Sequence, residues 1–560
     1  MCPFQMCSLQ GTSPFRPAGL SLLLVLAALL SGCTAAPAQD SGGPLLPEQA
    51  AYDVTHYDLA VAVDPAQRRI DGEVTVHAVV EDRLEHLVLN LDRRLAVTKA
   101  WPAGAPANAR PVERRNDDNQ VWIELDSLRT RGDTVRVSLA YEGAPRAAPG
   151  APWDGGLSWE TTPSGAPWIA TSCQTEGADL WWPVKDHPSD EPDSMDLAFT
   201  VPDSLVAASN GRLQSVERAS DSTETYRWHV STPINTYNVT LNAAPYVRLD
   251  TTYASTSGVS VPVSAYVLPS DSARAAEALP DFLRQLRFLE QTLGPYPPRA
   301  DKYGLAHTPF LGMEHQSLIA YGHDFTTGGV GYEASYDALH FHELAHEWYG
   351  NLVTVQDWND FWLHEGTATY LEALYTEHRQ GDRAYHARID YFRRAMSGGR
   401  PIARRTPTSA EAIYHGDVYY RGAMVLHTLR YVVGEAALRT LLRRFAYPDG
   451  GGTGQSAPFR HVTTADFVRL AEEVSGRSLE AFFEVYLYRG ALPVLETERA
   501  EGRLRLRWTN TGGLSFAVPV PVRVDGHTRR VSMPGGTGTV AVPDGATVEI
   551  DPAGWILRAE

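Results

Sequence analysis

His342-Glu343-Leu344-Ala345-His346, followed by Glu365 within Trp362-Leu363-His364-Glu365-Gly366, is the stretch of this chain whose residue types and spacing could do chemistry. Two histidines four apart stand one above the other on a helix face, so both imidazoles can reach one metal ion. A catalytic zinc takes three protein ligands and keeps a fourth position open for water. Glu365 is the third ligand in this reading, and Glu343 is directed at the water rather than at the metal. Neutral histidine and ionised carboxylate suit borderline Zn²⁺, so one zinc ion per chain is expected. The chemistry would be hydrolysis of a peptide bond. Glu343 would take the proton of the attacking water and pass it to the leaving amine.

Two helices must position these groups. Residues 336–349 contain no glycine or proline, and Gly350-Asn351 is a helix stop. A second proline-free segment, Phe361 to Arg379, carries Glu365 in its first turn. Glu372 lies two turns beyond Glu365 on the same face. Metal-bound histidines give their other N–H to an acceptor, and Glu372 is a candidate for that role, with a solvated surface glutamate as the alternative.

The run from His342 to Thr354 (His-Glu-Leu-Ala-His-Glu-Trp-Tyr-Gly-Asn-Leu-Val-Thr) resembles the zinc-site signature of the aminopeptidase N and leukotriene hydrolase family of gluzincins. The 18 residues between His346 and Glu365 match that family's spacing. The resemblance also covers Leu311-Gly312-Met313-Glu314-His315, Tyr419-Tyr420-Arg421-Gly422 and Cys173-Gln174-Thr175-Glu176-Gly177. It implies that Tyr419, rather than Tyr420, donates a hydrogen bond to the developing oxyanion. It implies that Glu314 recognises a protonated α-amine, with Gln174 as a second amine-binding side chain. Gly312 and Met313 would hold the substrate backbone. Departures from the family pattern are Leu311 for Gly, His315 for Asn and Arg421 for Lys. The implied partners are peptides with a free N-terminus. The alternatives are an epoxide hydrolase or an endopeptidase on the same scaffold, or a non-catalytic peptide-binding protein.

The expected fold class is multidomain α+β. Tyr57, Leu59, Val61 and Val63 alternate, as do Val74, Val76 and Ala78, with Asp64-Pro65 and Asp71-Gly72 as turns. Val135–Leu139 and Tyr237–Leu241 are further β-like runs. These place an N-terminal β domain, saddle-shaped by resemblance, over 51–255. A thermolysin-like α/β catalytic domain follows over 256–492, with helical sequence from near Asp271 and a helix over 465–473 capped by Thr464. Alternation returns at Leu504, Leu506 and Trp508 and at Phe516 to Val524, so 493–560 reads as a small β-sandwich. Large family members carry a long helical domain there, and the departure implies a more open cleft.

Composition bounds the partners. The net charge is −18, and only three of the 49 basic residues (Lys99, Lys185, Lys302) are lysines. The arginines are dispersed and the charge is negative, which argues against nucleic acid. Arg16 precedes an apolar run, Leu20 to Leu30, too short to span a bilayer. Leu30-Ser31-Gly32-Cys33 resembles a bacterial lipoprotein cleavage box, with an ordinary secretory signal as the alternative. The expectation is a signal peptide over 1–32, lipidation of Cys33, and a linker over 33–50 that lifts the enzyme off the membrane. The protein would be exported to the bacterial cell envelope and touch the membrane only through its lipid anchor. Cys173 is then left without a cysteine partner.

Overall fold

The computed structural model describes residues 40–115, 119–327, 335–450 and 457–559. The apolar N-terminal run and Cys33 lie outside the described residues. Asp40–Glu560 form one compact unit. Among the described residues, no helix is long and apolar enough to cross a membrane.

The alternating runs near the N-terminus pair into a seven-stranded sheet. Its strand order is 212–220, 223–230, 194–202, 52–64, 69–80, 134–143 and 95–102. Period-two patterning sends Tyr57, Leu59, Val61, Val74 and Val76 into the core. Tyr52–Asp64 runs antiparallel to Arg69–Val80 and parallel to Ser194–Pro202. Gly72 is needed where the Tyr141 ring crosses its strand, because a Cβ there would lie 2.6 Å from the tyrosine oxygen. A four-stranded sheet (206–208, 242–244, 167–172, 156–161) ends just before Gln174.

Three features of the fold differ from those expected from the sequence. Val247–Ala254 pairs with Ser260–Val267 in a five-stranded sheet that continues through 303–307, 319–321 and 312–313. The catalytic layer therefore starts ahead of residue 256, because a strand takes its domain from its partner rather than from its own pattern. Tyr237–Leu241 is not a strand. Thr236–Asn238 is a single helical turn, and the stretch is buried on all sides, so alternation carries no outward face to mark. The helix Thr464–Ser475 is capped by Thr463, one residue earlier than expected, in a reciprocal capping box with Asp466.

Residues 40–50 also differ from a free spacer. Ser41 N donates to Thr175 O, Ala410 N donates to Ser41 O, and Gly43 N donates to Asp357 Oδ2. Gly42 lies against the Trp358 ring, where a Cβ would come within 2.3 Å of Cδ1. This strap joins the N-terminal β layer to the catalytic layer, and Pro47–Ala50 forms a short helix behind it.

The C-terminal region contains two three-stranded sheets, 494–500/503–509/537–541 and 527–531/520–524/548–550. Leu504, Leu506 and Trp508 face inward with Phe516 and Val522. Trp555 stacks on His427 at 4.8 Å, and Arg393 donates to Ile556 O at 3.2 Å, so this layer docks on the catalytic helices.

Candidate active site

Asp337 starts the motif helix (Ala338–Ala345), its side chain accepting from His340 N at 3.0 Å. His342 sits in the last turn and His346 is the C-cap residue. Glu365 projects from the first turn of the helix Trp362–Gln380. The three converge. His342 Nε2 and His346 Nε2 are 3.2 Å apart, and Glu365 Oε2 lies 3.3 Å and 3.4 Å from them. Tetrahedral zinc with bonds of about 2.0–2.1 Å has ligand–ligand edges of about 3.3–3.4 Å, so donor chemistry and span both fit Zn²⁺.

Each imidazole is aimed by its other nitrogen. His342 Nδ1 donates to Glu372 Oε1 at 2.7 Å, and His346 Nδ1 donates to Tyr349 O at 2.9 Å. Both Nε2 atoms are thereby left for the metal. Arg388 pairs with the other oxygen of Glu372, so the expected acceptor is itself held. Glu365 is buried, which opposes its charge, but His346 and His342 overcome this and hold its carboxyl well below the usual range.

Glu343 is buried beside the ligands. Burial pushes its carboxyl up to about 8; His342 opposes this and Glu314 adds to it. Gly312 sits directly beneath, where a Cβ would come within 2.6 Å of Glu343 Oε1. Gly312–Met313 is the edge strand of the five-stranded sheet, paired on one side with Ile319–Tyr321. Among the described residues, no strand of that sheet pairs with its other edge.

Glu314 is buried at the end of that strand. Gln174 Nε2 donates to Glu314 Oε1 and also to Glu365 Oε1, the latter at 3.2 Å. Tyr237 OH donates to Glu314 Oε1 at 3.1 Å. Burial raises the Glu314 carboxyl; His346 opposes this and Glu365 adds to it. One side chain therefore links the carboxylate floor to the metal cluster. His315 points into a buried setting where burial lowers its imidazole to about 3, so it is neutral.

Tyr419, from the helix Asp417–Val433, stacks over His342 with centroids 6.0 Å apart. Its OH lies 3.1 Å from Tyr414 OH. Tyr420 turns away to Tyr391 and Phe392. The two helices approach closely because Gly366 and Gly422 meet, a Cβ on either lying 2.7 Å from the other's Cα. Arg421 is buried and donates to carbonyls of Tyr486, Arg400, Gly490 and Arg489, which ties this helix to the turn beyond it.

Residues 54–238 match the Peptidase M1 N-terminal domain, and residues 278–486 match the Peptidase family M1 domain. The chain belongs to peptidase family M1. Its β-rich N-terminal layer, mixed catalytic layer and His-His-Glu cluster are those of an M1 metallopeptidase. A crystal structure of a mutant M1 zinc metallopeptidase from Deinococcus radiodurans, bound to a Tyr-Ser-Ala substrate, is 27% identical. It superposes with a TM-score of 0.65 over 81% of this chain and 98% of that one. A two-domain M1 zinc metallopeptidase bound to L-tryptophan matches with the same identity, coverage and TM-score. Glutamyl aminopeptidase of Rattus norvegicus is 22% identical over 474 residues, 79% of this chain and 47% of its own length. The chain thus spans about half the length of such curated relatives.

Several site residues escaped the sequence reading. Tyr237 was hidden in a run with strand-like alternation, and Tyr414 and Arg388 carry no local signal. Glu347 and Asn351 stood inside the signature without an assigned task. Asn351 Nδ2 donates to Glu314 O at 3.2 Å and to Glu347 Oε2 at 3.0 Å, while Glu347 Oε1 accepts from Ser317 N at 2.9 Å. Together they fasten the loop that carries Glu314 to the motif helix.

Proposed function

We propose that this protein is a zinc-dependent aminopeptidase that removes N-terminal residues from peptides, with one zinc ion on His342, His346 and Glu365. Zinc in such a site supplies a Lewis acid and an acidified water. Glu343 accepts the proton of the attacking water and returns it to the departing amine. Tyr419 OH donates to the carbonyl oxygen as negative charge develops there, an interaction of the kind worth about 10²–10³ in rate. Gly312 and Met313 hold the substrate chain as an added strand. Glu314, with Gln174 beside it, pairs with the protonated α-amine and sets the register of the first peptide bond.

The single observation that carries the aminopeptidase reading is the buried carboxylate of Glu314, joined through Gln174 to Glu365. A buried carboxylate linked to a ligand through one amide side chain is placed to pair with the α-ammonium of a substrate whose first peptide bond lies at the metal. The D. radiodurans relative bound to Tyr-Ser-Ala and the two-domain relative bound to free L-tryptophan support the same substrate class. The test is a panel of aminoacyl fluorogenic substrates beside their N-acetylated versions, with Glu343→Gln as the control. Cleavage of free-amine substrates, absent in Glu343→Gln protein that keeps its zinc, is expected. Equal cleavage of acetylated and free substrates would overturn the reading while leaving the metal site intact.

We also propose export with a lipid anchor on Cys33, supported by Leu30-Ser31-Gly32-Cys33. A multiply acylated cysteine holds a membrane firmly. Mass spectrometry of the mature N-terminus tests this, and an unmodified start at another residue refutes it.

A further inference from the structure

The outer face of the seven-stranded sheet carries a second convergent cluster, on strands that take no part in the site above. Asp58 and Asp196 are directly registered neighbours on the parallel strands Tyr52–Asp64 and Ser194–Pro202. Like charges in that relation repel unless a positive group lies between them, and the ring of His56 is placed there. His56 stands two residues from Asp58 on the same face, its Nε2 3.4 Å from Asp58 Oδ1 and 3.6 Å from Asp196 Oδ2. The first of these edges falls within the 3.2–3.4 Å range of the His342–His346–Glu365 triangle and the second is slightly longer. Among the described residues, these two groups are the ones whose ligand atoms converge within 4.8 Å.

The surroundings are ordered as around a metal. His56 Nδ1 bonds Ser194 Oγ at 2.8 Å, which turns Nε2 toward the two carboxylates. The outer oxygen of each aspartate is held by its own histidine. His77 Nε2 lies 2.8 Å from Asp58 Oδ2, and His229 Nδ1 lies 2.7 Å from Asp196 Oδ1. Outer-shell partners of this kind orient ligating groups. The cluster opens into a concavity of about 390 Å³ lined by both aspartates, which leaves room for water on the open side. Arg227 on that wall is paired with Glu217 at 3.2 Å rather than with the aspartates. Arg136 approaches His77 Nε2 at 3.5 Å, on the far side from Asp196.

We propose that His56, Asp58 and Asp196 form a second divalent-metal site that takes zinc, with His77 and His229 holding the outer carboxylate oxygens. One nitrogen and two carboxylate oxygens suit a borderline first-row ion. The ion joins strands 138 residues apart in sequence and, through the outer histidines, four adjacent strands. The site is open to solvent, bridges strands of the sheet, and is independent of the peptidase reading.

The test is zinc stoichiometry on the full mature chain, by elemental analysis after equilibration with Zn²⁺ and by calorimetric titration. The parent should bind two equivalents. His56→Ala with Asp196→Asn should lose one equivalent and keep its peptidase activity. Asp58→Asn, a milder change, should lose the same equivalent, with circular dichroism checking the fold. His342→Ala with His346→Ala should keep one equivalent, which makes loss at this cluster distinguishable from failure of the active-site assignment. In that background Co²⁺ should give a visible absorption band that His56→Ala removes. A parent that binds a single equivalent, or a second equivalent that survives both N-domain changes, would overturn the proposal.

Discussion

Replacing Glu314 by glutamine tests the amine-recognition argument with little disturbance to packing. The glutamine oxygen can still accept from Tyr237 and from Gln174, both of which donate to Glu314 Oε1 in the parent. Alanine would instead leave those two donors unpaired in a buried site, each costing about 1–3 kcal/mol, so glutamine isolates the charge. What glutamine removes is a charge-assisted bond to the α-ammonium, worth about 1.5–3 kcal/mol. That corresponds to a loss of roughly 10–150-fold in kcat/KM. A free α-amine has a pKa of about 7.7–8, so it is largely protonated at pH 7 and the full effect is read there. The assay is kcat/KM on an aminoacyl fluorogenic substrate and on its N-acetylated twin. Zinc content must be measured alongside, because Gln174 also touches Glu365. The free-amine rate should fall into that range, the acetylated rate should change little, and zinc should stay at one equivalent in this site. A fall of less than about threefold on the free amine, with zinc retained, would refute the electrostatic argument.

Tyr419→Phe should lower kcat by about 10²–10³ with KM nearly unchanged, whereas Tyr420→Phe should leave kcat within a few-fold. Steady-state kinetics of both variants checks this, and the reverse pattern would show that the wrong tyrosine was chosen. Glu372→Gln should weaken zinc binding about 10–100-fold, read by competition with a chelating dye, because the acceptor that orients His342 loses its charge. Glu191 supplies a pH prediction. Burial pushes its carboxyl up to about 8; Thr354 opposes the shift and Asp190 adds to it. A folded-state pKa above the unfolded value contributes stability that is fully present below the unfolded value near 4.5 and lost as pH rises through about 8. Glu191 keeps some solvent contact, so the effect is discounted, and Glu191→Gln should gain about 1–3 kcal/mol on the parent between pH 5 and pH 9 in urea unfolding. Parallel pH profiles of parent and variant would refute it.

What was legible in the sequence was whatever local periodicity encodes. The spacing of His342 and His346 follows from 3.6 residues per turn, and Glu365 from its place in the first turn of a second helix at the spacing the resemblance supplies, so those three could be read without coordinates, whereas the position of Glu372 two turns on fits both a histidine acceptor and a solvated glutamate. Period-two runs likewise placed the first strands and their buried faces, and Arg503 to Trp508 in the last layer. Alternation failed where a segment is buried on every side, as at Tyr237–Leu241, and where a strand's partner lies in another layer, as at Val247–Ala254. Tertiary structure alone decided the rest. The joining of Glu314 to Glu365 through Gln174 brings together side chains 191 residues apart, and no local rule reaches that far. The contact of Gly366 with Gly422, which lets Tyr419 lie over His342, depends on how two helices cross. The same is true of the strap at Ser41–Gly43 and of Asp58 facing Asp196 across parallel strands. Each depends on which elements pack together, and that choice is made by burial summed over the whole core rather than by any one segment.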